Sequence, residues 1–93
     1  MFNVNEYFDG KVKSISFTTA DGPATIGVIS AGEYEFGTST IEIMTVVSGK
    51  LFAMLPQSTS WAEYKPGQSF TVQANQKFKV KADADTSYVC LYC

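Results

Sequence analysis

Polar and apolar positions alternate along most of this chain, and the alternation keeps stopping at turn chemistry. In residues 11–19 (KVKSISFTT), Lys11, Lys13, Ile15 and Phe17 fall on one face of an extended strand. Residues 33–37 alternate strictly, with Glu33 and Glu35 opposite Tyr34 and Phe36. Further strands are expected at 24–30, 41–47, 51–55, 61–64, 69–73, 77–81 and 86–92. The breaks carry turn residues: Ala20-Asp21-Gly22-Pro23, Ser48-Gly49-Lys50, Lys65-Pro66-Gly67 and Ala74-Asn75-Gln76. No stretch of about ten residues holds a helical period. The pattern predicts about nine short strands in an all-β sandwich or barrel.

Length and charge narrow this picture. Ninety-three residues make one domain, spanning 1–93, and a domain this small gains stability from a partner subunit. The aromatic share of 14% is high enough to suggest an interface or a ligand pocket as well as a core. The chain has seven cations, all lysine, a net charge of −2, and neither histidine nor arginine. That balance argues against nucleic acid as a partner. No apolar run approaches the length of a membrane helix. Residues 1–10 lack the basic and apolar regions of a secretory signal, so a cytoplasmic protein is expected. Cys90 and Cys93 form a C-x-x-C in sequence, but their spacing on a strand sends them to opposite faces, which suits neither redox nor metal chemistry.

Two spacings resemble the signatures of the cupin barrels. Glu42 and Gly49 close the pattern G-x5-H-x-H-x3,4-E-x6-G, whose histidine positions fall on Phe36 and Thr38. Counting forward from Gly67 along G-x5-P-x-G-x2-H-x3-N places Gln73, Asn75, Phe78 and Ala82 at the remaining positions. The turn glycines survive in part and the ligands do not. One carboxylate cannot hold a catalytic transition metal, so no metal and no cofactor are expected. A pocket at the former metal position would be lined by Phe36, Thr38, Glu42 and Phe78, with Met44 and Tyr88 beside them. Aromatic faces and a carboxylate suit a ligand with a flat apolar surface and hydroxyls, such as a nucleoside. The same residues also read as plain core, with Glu42 as a lysine partner at an interface or a solvated charge.

The blocks NEYFDGKVKSISF, GEYEFGTSTIEIMTVVSGKL and TSYVCLYC, in this order over the whole chain, resemble the small bacterial pyrimidine/purine nucleoside phosphorylases of the cupin fold. The resemblance implies a double-stranded jelly-roll barrel, a homodimer, and phosphorolysis of nucleosides to free base and α-D-ribose 1-phosphate, or the deoxy form. The implied substrates are phosphate with uridine, adenosine, inosine, guanosine, cytidine, thymidine or xanthosine. The chain departs from relatives at Leu91, where some carry a charged residue, and at the Gln73-Ala74-Asn75 turn, where Pro and Gly are frequent.

Phosphorolysis requires a phosphate site, a grip on ribose and tolerance for a departing base. With no arginine, Lys13 is the expected phosphate ligand and a catalytic residue, helped by Ser14, Thr38 or Thr45. Glu42, the second catalytic candidate, would hold the ribose hydroxyls. Phe36, Phe78 and Tyr88 would enclose the base, and stacking of this kind is indifferent to base identity. Trp61 is a candidate for the dimer interface. Two other readings remain open: a non-catalytic cupin that binds a nucleoside or small metabolite, and a purely structural dimer. A filled barrel would favour the structural dimer, and a polar-floored cavity above about 300 Å³ would oppose it.

Overall fold

The computed structural model describes residues 2–93, and its strands form two antiparallel sheets. The strands are β1 (Asn3–Tyr7), β2 (Val12–Thr19), β3 (Gly22–Ile29), β4 (Gly32–Gly37), β5 (Glu42–Ser48), β6 (Leu51–Met54), β7 (Ala62–Tyr64), β8 (Ser69–Val72), β9 (Lys77–Ala82) and β10 (Thr86–Tyr92). A six-stranded sheet runs β1-β2-β3-β10-β5-β8, and a four-stranded sheet runs β4-β9-β6-β7. The fold is a cupin-type double-stranded jelly roll. No helix is long and apolar enough to cross a membrane among the described residues.

Ten strands replace the expected nine, because residues 3–7 pair with β2. The alternation of NVNEY is polar on the inward side, with Asn3 and Asn5, and so gives a weak core signal. It can be polar there because β1 is an edge strand of the wider sheet.

The space between the sheets is filled from both sides. Val12, Ile29, Val46 and Val72 come from the larger sheet and Leu51, Ala53 and Val80 from the smaller, each at most 1% exposed. Each of the larger side chains contributes roughly 1.5–3 kcal/mol by leaving water.

The turn glycines of the signature are there for backbone reasons. Gly49 adopts φ +83, and a Cβ on it would lie 2.6 Å from the Thr86 hydroxyl and 3.1 Å from the Asp85 carbonyl. Asn75, at the second glycine position of the pattern, takes φ 60, which asparagine tolerates better than most residues. Gly49→Ala combines a left-handed backbone with a clash. The expected cost is about 2 kcal/mol, read as a fall in Tm of about 10 °C by calorimetry.

Candidate functional site

Strand register decides which side chains face inward. Across the larger sheet one inward row reads Asn5–Ser14–Gly27–Tyr88–Val46, and the next reads Asn3–Ser16–Thr25–Cys90–Met44–Phe70. Glu42 pairs with Tyr92 at the end of β5 and faces the same way as Met44. From the smaller sheet, Phe36 stands opposite Phe78 across the β4–β9 pair. These residues surround a cavity of about 510 Å³, whose walls include Tyr7, Phe8, Ser14, Phe36, Glu42 and Tyr88. Glu35, Gly37, Met44, Phe78, Cys90 and Tyr92 complete the lining.

One wall is aromatic. The Phe36 and Phe78 rings lie 5.9 Å apart, and Phe78 meets Phe70 edge-on at 6.2 Å. Phe8 extends this wall to the mouth, 5.0 Å from Tyr34 and 5.6 Å from Phe36. It sits there because Phe8 and Asp9 both adopt left-handed backbone angles, φ 53 and φ 57, in a tight turn after β1. Such angles are costly away from glycine. Offset and edge-on ring contacts offset part of that cost.

The opposite wall is polar. The Tyr88 ring leans over Gly27, and any Cβ at Gly27 would lie 2.6 Å from its hydroxyl. Tyr88 is 6% exposed, yet no other described side chain or backbone group hydrogen-bonds its hydroxyl. Burial pushes the Tyr88 phenol well above the ordinary tyrosine range, so it remains a donor. The Cys90 thiol donates to Glu42 Oε1 at 3.5 Å, and burial pushes that thiol up to about 12. The Tyr92 hydroxyl bonds the Thr25 hydroxyl at 3.0 Å. Burial raises the Glu42 carboxyl above the usual carboxylate range, and the bond from Cys90 partly opposes this.

Of the residues singled out from sequence, Ser14, Phe36, Glu42, Met44, Phe78 and Tyr88 come together around this cavity. Three do not. Lys13 lies on the outer face, 59% exposed in its side chain, and pairs with Glu6 across β1 and β2 at 3.3 Å. The apolar face that Lys13 shares with Ile15 exists, but it is the outside of the sheet, and Val12 and Ser14 are the buried neighbours. Thr45 also faces outward, where its hydroxyl bonds that of Ser69 at 2.7 Å. Thr38 is buried for a different purpose: its hydroxyl donates to the Gln73 carbonyl at 2.6 Å and accepts from the Gln76 N–H at 3.0 Å. It ties the β4–β5 loop to the β8–β9 loop. Tyr7, Phe8 and Tyr92 were not singled out. Phe8 had no signal, since its placement depends on a non-glycine left-handed turn. Tyr92 had one, because its parity with Tyr88 puts both on the same face.

A cupin metal does not fit here. Two former ligand positions hold the stacked pair Phe36 and Phe78, and the third holds Thr38, whose hydroxyl is engaged with backbone. Among the described residues, no three His, Cys, Asp or Glu side chains converge.

Comparison with known proteins agrees with this geometry. A family profile described as pyrimidine/purine nucleoside phosphorylase matches residues 2–92. Curated relatives of that name from Pseudomonas syringae pv. syringae (strain B728a) and Pseudomonas aeruginosa (strain LESB58) are 61% and 62% identical over 92 residues. Each alignment covers 99% of this chain and 99% of the relative. A crystal structure of a Vibrio parahaemolyticus protein of unknown function is similar with a TM-score of 0.95 at 38% identity, covering 100% of this chain and 99% of its own. An ethanolamine utilization protein Q from Salmonella typhimurium has a TM-score of 0.76 at 12% identity, covering 99% and 93%, which shows a shared fold alone.

The raised Glu42 carboxyl has a signed consequence for stability. A carboxyl whose folded-state pKa lies above its unfolded value contributes stability that is complete below the unfolded pKa. That contribution is lost as pH rises through the folded pKa. Glu42→Gln, which resembles the protonated form, is therefore expected to melt higher than wild type near neutral pH. The two should melt together below about pH 4, and parallel melts across the pH range check this.

Proposed function

The chain belongs to the pyrimidine/purine nucleoside phosphorylase family, and from that premise we propose that it splits both pyrimidine and purine nucleosides with inorganic phosphate. The products are free base and α-D-ribose 1-phosphate or its deoxy form. The observation that carries this reading is the cavity of about 510 Å³ with an aromatic wall facing a carboxyl and an unpaired phenol. A filled barrel, as a purely structural dimer would have, is opposed by that volume.

In this reading the base packs against Phe36 and Phe78, and Phe8 closes over it. Aromatic packing supplies affinity without selecting a base, which suits substrates such as uridine, cytidine, thymidine, adenosine, inosine, guanosine and xanthosine. Glu42 takes the ribose hydroxyls, and the Cys90 thiol holds its carboxyl in place. As the glycosidic bond breaks, positive charge grows on the sugar, and a carboxylate alongside stabilises it. The base leaves with the bonding electron pair and needs a hydrogen-bond donor. Tyr88 is suited to that task, because its phenol is protonated, opens on the cavity and has no hydrogen-bond partner among the described residues. Hydrogen phosphate gives up one proton as its oxygen bonds to the anomeric carbon, and the base gains one, so the reaction balances. We assign no metal and no cofactor.

The active form in this reading is a homodimer. The outer face of the larger sheet carries an apolar row, Val4–Ile15–Ile26–Val89, in direct register. Val4, Ile26 and Val28 are 64%, 45% and 52% exposed in one chain, which is unusual for neighbouring aliphatics on one sheet. A second copy packed on this face by two-fold symmetry would cover them. Trp61, the other candidate for an interface, has Lys81 Nζ 4.4 Å from its ring centre.

The test of function is release of free base from uridine and from adenosine, with and without phosphate, in the presence of a metal chelator. Phosphate-dependent release from both, with pentose 1-phosphate formed, is expected. Loss of activity with the chelator would overturn the metal-free reading. Binding of nucleoside without turnover would favour a non-catalytic cupin. Tyr88→Phe should lower kcat by about a hundredfold with little change in nucleoside KM. Ile26→Glu should shift the sedimentation coefficient from dimer to monomer, and a monomeric wild type would remove the dimer from the account.

A further inference from the structure

A second chamber of about 570 Å³ adjoins the first and shares Tyr7 and Tyr92 with it. It lies on the inward face of β1 and β2, at the end of the wider sheet, and is closed on one side by the loop between β4 and β5. Its chemistry differs from that of the first chamber. Its polar groups are all neutral amides and hydroxyls, set among the apolar Phe17, Pro23 and Ala24, with no carboxylate and no lysine. We propose that this chamber is the inorganic phosphate subsite, an inference that rests on the nucleoside phosphorylase reading above.

Three observations carry it. First, phosphate cannot share the inner chamber comfortably, because Glu42 points into that space and like charges at short range repel. Second, the lysine expected to bind phosphate is on the outer face and paired with Glu6. An oxyanion near this cavity must therefore be held by neutral donors. Third, such donors are present. The backbone N–H groups of Ser39 and Thr40 make no backbone hydrogen bond, and their hydroxyls bond no other described side chain. Asn5 Nδ2 donates to the Ser16 hydroxyl at 2.9 Å, which leaves the Ser16 proton free to point at a ligand, while the second acceptor of Asn5, Ser14, lines the inner chamber. Unpaired loop N–H groups beside hydroxyls are a known way of holding an anion without a cation.

The arrangement also fits the reaction. With the base and Glu42-bound ribose in the inner chamber, the anomeric carbon falls toward the Tyr7–Tyr92 boundary. Phosphate enters from the outer side. A phosphate oxygen forms the new C–O bond while the C–N bond breaks, the base takes that electron pair, and the proton released by hydrogen phosphate balances the one the base acquires. The chamber, at about 570 Å³, is larger than one phosphate ion.

A charge swap at Thr40 tests the site. Thr40 is exposed and makes no side-chain hydrogen bond, so substitution there should leave the fold intact. Thr40→Asp is expected to raise the KM for phosphate about tenfold and Thr40→Lys to lower it, with nucleoside KM changed by less than about twofold in both. Phosphate KM values that do not move, or that move the same way in both variants, would overturn the assignment. The same pair of changes at Ser39 serves if either Thr40 variant fails to fold. A phosphorus NMR titration of inorganic phosphate into the whole protein without nucleoside gives an independent order: Lys variant tighter than wild type, wild type tighter than Asp variant. If wild type turns over no nucleoside but this order holds, the phosphorylase reading falls and the anion site stands. If turnover is normal and this order is absent, the anion site falls.

Discussion

The pairing of β10 with β3 on one side and β5 on the other fixes most of what faces the cavity. Its register puts Tyr88 opposite Gly27, and Cys90 opposite Met44. Because side chains alternate with a period of two, a slip of one residue would turn Tyr88, Cys90 and Tyr92 to the outside and Val89 and Leu91 to the inside. The slip is prevented by the same contacts that make the site. The Tyr88 ring needs the missing side chain of Gly27, and the Tyr92 hydroxyl needs Thr25. Site and sheet are thus held by one set of interactions.

Burial sets the chemical character of these groups. Tyr88, Tyr92 and Cys90 are all pushed toward their protonated, neutral forms, chiefly by desolvation. Glu42 is raised for the same reason, and the bond from Cys90 partly opposes this. The inner wall is therefore a row of donors around one carboxyl. That arrangement suits a polar but uncharged molecule better than an anion. The aromatic wall across the cavity adds surface without adding charge.

Much of this was legible in the sequence, for identifiable reasons. The alternation of residues 33–37 and 86–92 gave both the strands and their inward faces, so Phe36 and Tyr88 could be placed beside each other's sheets. The spacing from Glu42 to Gly49 carried the turn, because a left-handed φ at that position excludes most side chains. Alternation gives two faces without saying which is inward, and Lys13 lies on the outer one. Ile15 and Phe17 made its side look like core, whereas Val12 and Ser14 are the buried pair. Thr45 is of opposite parity to Glu42 and Met44 and faces outward. Thr38, expected to line the pocket, is buried outside its lining with partners in another loop, Gln73 and Gln76, and no local pattern reports a contact that distant. Asp9-Gly10 carries turn chemistry, but nothing local marks Phe8, which adopts a positive φ that aromatic residues rarely take.

The buried thiol has one more consequence. Cys90 is next to the carboxyl at the heart of the cavity, yet desolvation and the Glu42 charge keep it protonated up to about pH 12. Thiolate is the form that attacks electrophiles and peroxides. Cys93, the other cysteine of the chain, is exposed and lies outside the cavity lining. Alkylating agents and mild oxidants therefore meet a sacrificial sulfur at the surface first, while the one that touches Glu42 keeps its proton and stays chemically silent.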